Sequence, residues 1–174
     1  MKTQSKTTGT IERNSLEGLF RGELTEVYYA QKQLGEVYQR MADAAQSEEL
    51  KKIFEQQVQN TALQVRRMDE CFGLLELTPD TKYANIVGGL ATVADEMIKD
   101  FSEGPVRDAA LISTAQKIEH YGISAYGTLR TMATILGRVQ CAALLEENKD
   151  EEAETDEALT RLATGINPLA LEGV

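Results

Sequence analysis

A chain of 174 residues is long enough to bury one proper hydrophobic core and fits a single domain. Its 28 acidic against 18 basic residues give a formal charge of −10 and a pI of about 4.7, a balance that repels phosphate backbones and argues against nucleic acid as a partner. No apolar run approaches the roughly 18 to 20 residues that span a bilayer, so no membrane segment is expected.

Residues 1–14 read as a flexible arm, with Lys2 and Lys6 set among Thr, Ser and Gln. The arm has no apolar stretch of the kind a secretory signal needs, and the expected location is the cytoplasm. Cys71 and Cys141 form no CxxC pair and no disulfide framework; two reduced, half-buried thiols are the expectation.

Helical patterning covers nearly everything else. Prolines occur only at 79, 105 and 168, where helices should start or stop. The first helix is predicted from about Ser15, its cap, to Ala45, with Phe20, Leu24, Val27, Leu34, Tyr38 and Met41 on one stripe. The second runs from about Ser47 to Leu77, and the very short break before it forces an antiparallel hairpin. Asn85 to Phe101 reads as a shorter helix weakened by paired glycines. Pro105 then opens a third long helix that ends at Gly137, and a fourth runs from about Arg138 to Thr164, stopping at Gly165-Ile166-Asn167-Pro168. Residues 166–174 read as a C-terminal tail. Four long helices, two tight hairpin turns and one long middle connection predict an all-α, ferritin-like four-helix bundle over residues 15–165, with the short helix carried in the crossover.

The apolar stripes are broken by polar residues at similar depth in all four long helices: Gln31; Gln57 and Thr61, with Asn60 and Gln64 beside them; Glu119 and Gly122; Asn148 and Glu152. A central polar layer in a long bundle is where di-metal carboxylate sites are built. Two hard ions need about four carboxylates and often two imidazoles. Glu119 and Glu152 are good candidates, Glu151, Glu26 and Glu23 face less certainly inward, and His120, the single histidine, lies beside the stripe. Helix two supplies amides and a hydroxyl, and the Glu-x-x-His spacing is absent. Each feature also has a plainer reading. His120 can be an ordinary helix-face histidine, and Glu119 can pair with Arg66 or Arg67. The Gln31, Asn60 and Thr61 layer can be a hydrogen-bonded network that fixes register. The acidic run from Glu146 to Glu157 is mostly a solvated face. Tyr28, Tyr29, Tyr121 and Tyr126 are open between donating into the layer and lining a subunit contact.

From about Leu16 to Ala163 the chain resembles the YciE/YciF-type ferritin-like proteins, a bacterial group tied to stress responses. The resemblance is most specific in PVRDAALISTAQKIEHYGISAYGTL (Pro105 to Leu129) and in AALLEENKDEEAETDEALTRLA (Ala142 to Ala163), with LTEVYYAQKQL (Leu24 to Leu34) matching in helix one. It implies a homodimer or larger homo-oligomer and a di-metal site. Carried over by position, that site would have lost acidic ligands at Gln31, Asn60 and Gly122 while keeping Glu119, His120, Glu151 and Glu152. The resulting expectation is a non-enzymatic, oligomeric stress-associated bundle with a degenerate di-metal site and no cofactor. The alternative is a di-iron carboxylate protein, oxidase- or peroxidase-like, in which Glu119, Glu152, Glu151, Glu26 and His120 hold iron or another divalent metal. Iron storage is a third reading, for which the chain shows no nucleation cluster.

Overall fold

Ser15 caps the first helix. Its hydroxyl accepts the Gly18 N–H at 3.0 Å, and α1 follows over Leu16–Ala44. In the computed structural model, which describes residues 13–79 and 87–172, the remaining helices are α2 (Glu48–Leu74), α3 (Gly88–Asp100), α4 (Pro105–Ile135) and α5 (Val139–Glu172). Ser47 caps α2 in the same way, and Pro105 occupies the first turn of α4, where a missing N–H is harmless. The fold is all-α, as expected, with no strand among the described residues.

The long helices form a ring in which α1 packs on α2 and α4, and α5 closes the other two sides; α3 lies against α1 and α4. The direction of α4 is fixed by Asp108 in its first turn. Both oxygens of this buried carboxylate accept backbone N–H groups of the α1–α2 turn, Gln46 and Ser47, each at 2.8 Å. Arg107 beside it donates to the Ala44 carbonyl at 3.4 Å. The first turn of α4 therefore sits at the tip of the first hairpin, so α4 runs parallel to α2 across the bundle diagonal. That is the consequence of the single crossover.

Two helix ends differ from the sequence reading. The second helix stops at Leu74, not Leu77, because the chain turns there: Leu77 N–H bonds Phe72 O and Glu76 N–H bonds Gly73 O, with Glu76 at φ +54°. The α4 end is the same motif with Gly137 at φ +71°. The last helix does not stop at Gly165 but passes through it and Pro168 to Glu172. Ile166 is buried in the core there, which holds the helix through two unfavourable residues. The start of the predicted short helix, Asn85 and Ile86, lies outside the described residues.

The core is in two parts. One, around Leu34, Met41, Phe54, Ile118 and Leu159, fills the end near the α1–α2 turn. The other, around Phe20, Leu24, Met68, Tyr126 and Leu145, fills the opposite end. It includes Cys71 and Cys141, both free and fully buried, each sulfur 3.8 Å from the other residue's carbonyl oxygen. Burial pushes both thiols up. Between the two apolar parts lies the polar layer.

Candidate functional site

Every long helix contributes buried polar side chains at the same depth: Gln31 from α1, Gln57, Thr61 and Gln64 from α2, Glu119 from α4, and Asn148 and Glu152 from α5. Glu119 is fully buried. Its Oε1 accepts the Tyr38 hydroxyl at 2.5 Å and the Gln57 amide at 3.1 Å. Its Oε2 is buried and meets no N–H or O–H donor. Glu152 lies opposite as its hydrogen-bonding partner, and also accepts from Gln31 at 3.3 Å. Burial pushes both carboxyls above the usual range, and for Glu119 the charge of Glu152 adds to burial. A proton shared between two such carboxyls removes one of two buried like charges, and on Glu119 Oε2 it would give that oxygen a hydrogen bond to make.

The amides continue the network outward. Gln31 donates to the carbonyl of Gln64 as well as to Glu152. That carbonyl also accepts from the Tyr126 hydroxyl at 3.4 Å, while the Gln64 amide nitrogen donates to Glu151 at 3.2 Å. Asn60 donates to the Gln57 carbonyl at 2.9 Å. It lines, with Glu151, an open groove between α2 and α5.

The predicted site residues separate. Glu119 and Glu152 are brought together. Glu151 is only half buried and is gripped by Arg67, whose two terminal nitrogens reach it at 2.6 and 3.0 Å. The ion pair expected between Glu119 and Arg66 or Arg67 is not formed: Arg66 is exposed, and Arg67 reaches Glu151 and Glu147 instead. The His120 side chain is 68% exposed and points to Asp156 at 3.6 Å, because one residue past the stripe turns it out of the bundle. Glu26 lies near Glu23 and Tyr121 between α1 and α4, and no described hydrogen bond or ion pair links it to the carboxyl pair. On α2 the second inward amide is Gln64, not Asn60. Tyr38, read from sequence as an apolar stripe member, is the hydroxyl donor to Glu119; its place seven residues after Gln31 was the signal.

A di-metal centre does not fit this donor set. The layer offers two buried carboxyls, Glu119 and Glu152, where two divalent ions need about four carboxylates. At Gly122 a Cβ would stand 2.6 Å from Glu152 Oε2 and 2.8 Å from its carboxyl carbon. In this arrangement Glu152 occupies the space that a side chain at 122 would enter, so it would have to shift to admit one. Among the described residues no three His, Cys, Asp or Glu side chains converge as metal ligands.

Residues 15–171 match the family described as Domain of unknown function (DUF892). The chain is 38% identical to Protein YciF of Escherichia coli (strain K12) over 157 residues, 88% of this chain and 93% of that protein. The chain belongs to the YciF-type DUF892 family. Among solved structures, that of the E. coli stress protein YciF superposes with a TM-score of 0.86 at 36% identity, covering 89% of this chain and 98% of that one. YcfI from Rhodopseudomonas palustris superposes at 0.81 with 29% identity, covering 87% and 96%. The DUF892 architecture is thus shared along the whole bundle. No helix of the described residues is long and apolar enough to cross a membrane.

Proposed function

We propose that this protein is a cytoplasmic, stress-associated bundle that works as a homo-oligomer without catalysing a reaction, its former di-metal layer serving to hold the helices in register. The observation that carries this reading is the layer itself: Gln31, Gln57 and Gln64 present amide hydrogens to Glu152, Glu119 and Glu151. A satisfied buried network specifies one alignment of helices, since any slip strands polar groups in the core. The stress association follows its relative YciF, which is described as a stress protein. An oligomer is supported by Leu19, Leu74, Ile135 and Val139, large apolar side chains left exposed at one end of the bundle.

The test is metal content after aerobic expression in iron-rich medium, followed by ferrous titration under oxygen. The proposal expects neither bound iron nor an oxidation transient. Two irons per chain with rapid oxidation would establish the oxidase reading in its place. Native mass checks the oligomer: a monomer would refute that part, and a 12- or 24-subunit shell would favour storage.

A further inference from the structure

On α2, Gln64 and Arg67 stand three residues apart and therefore share a face; on α5, Asn148 and Glu151 do the same. This is the spacing at which bundle metal sites carry a glutamate and a histidine. Here the two pairs lock onto each other. Arg67 holds Glu151 with two nitrogens and donates to Asn148 Oδ1 at 3.0 Å. Gln64 donates to Glu151 at 3.2 Å, and Asn148 donates to the Gln64 backbone carbonyl at 3.4 Å.

The direction of these bonds sets the rest of the layer. Glu151 is spent as an acceptor, so Gln64 turns its nitrogen to Glu151 and its carbonyl inward. Gln31 answers that carbonyl with its own nitrogen, which also reaches Glu152. Every amide along this path aims hydrogens, not oxygens, at the carboxylates. Amide hydrogens and a guanidinium both repel a cation, and both oxygens of Glu151 are already taken up by Arg67 and Gln64.

From this we infer that Arg67 is the residue that keeps divalent metal out: a built-in cation that occupies Glu151 and, through Gln64, orients the amides against metal. This rests on the reading of the layer as metal-free. Without Arg67, Glu151 is released and Gln64 can turn its oxygen toward it. Glu151, Glu152 and two amide oxygens then form a set suited to a hard divalent ion such as manganese.

The experiment titrates Mn²⁺ into the full chain, as wild type, Arg67→Gln and Arg67→Lys, following bound ion by electron paramagnetic resonance and stability by thermal melting. Arg67→Gln is expected to bind about one ion per chain at least tenfold more tightly than wild type, and to melt higher with Mn²⁺ than without it. Arg67→Lys, which keeps the charge, should stay near wild type. A folded Arg67→Gln that binds no more tightly than a metal-free wild type overturns this inference and leaves the proposed function standing. Should that variant not fold, equal Mn²⁺ binding by wild type and folded Arg67→Ala, Glu147→Gln would overturn it in the same way. Tight stoichiometric binding by wild type overturns both.

Discussion

Glu119→Gln separates the shared proton from everything else in the bundle. The variant amide can do what the protonated acid does: its nitrogen donates toward Glu152, and its oxygen accepts from Tyr38 and Gln57, which both reach the same atom, Oε1. Only the ionisation is removed. The folded-state pKa of Glu119 lies well above the ordinary 4.5, with burial the largest cause. Between those two values the folded chain binds a proton that the unfolded chain has released, so the unfolding free energy falls as pH rises. One proton gives a slope of at most about 1.4 kcal/mol per pH unit, reached only while the unfolded group is ionised and the folded one is not. The stabilisation is fully present below the unfolded pKa and is lost as pH rises through the folded value. Urea unfolding followed by circular dichroism from pH 5 to 9 at fixed ionic strength reads this directly. The wild type should lose stability relative to Glu119→Gln with increasing pH, and the variant should be the more stable at the alkaline end. Parallel profiles would mean that no proton is held between Glu119 and Glu152.

Gly122→Ala places a methyl group 2.6 Å from Glu152 Oε2, so Glu152 must leave its partners; a loss of about 1–3 kcal/mol is expected in chemical denaturation, and it should shrink in the background of Glu152→Ala. Asp108→Ala strips the acceptors from two backbone N–H groups of the α1–α2 turn and should cost about 2–3 kcal/mol, with Asp108→Asn milder because it keeps one acceptor. Glu76→Gly relieves a left-handed residue at the end of α2 and should raise stability by about 1 kcal/mol. Gly165→Ala sits mid-helix with nothing within 4 Å of the new Cβ, and a gain of about 0.5–1 kcal/mol is expected, read as a higher melting temperature.

The architecture was legible because it rests on periodic burial and punctuation. Phe20 to Met41 and Leu111 to Leu129 show their stripes in sequence, Ser15 and Ser47 cap as serines do, and Gly137 ends a helix as glycine does. Where punctuation failed, tertiary burial outweighed it: Ile166 carries α5 past Gly165 and Pro168, and a glutamate takes the left-handed position at 76. The depth of the polar layer was also legible, since polar residues interrupt each stripe near its middle. Partner choice within it was not. Whether Arg67 reaches Glu119 or Glu151 depends on how far α2 and α5 are rotated toward each other, and a one-residue offset separates Asn60 or His120 from the interior. Spacing along one helix cannot supply that rotation.

The grip of Asp108 on the α1–α2 turn has a consequence for how the chain folds. The backbone groups it satisfies lie 61 and 62 residues earlier in sequence, so the tip of the first hairpin is completed only when the second half of the chain arrives. Neither hairpin is then a self-sufficient unit. The two halves should gain and lose structure together, in one transition, and a separated α1–α2 fragment should fray from its turn outward.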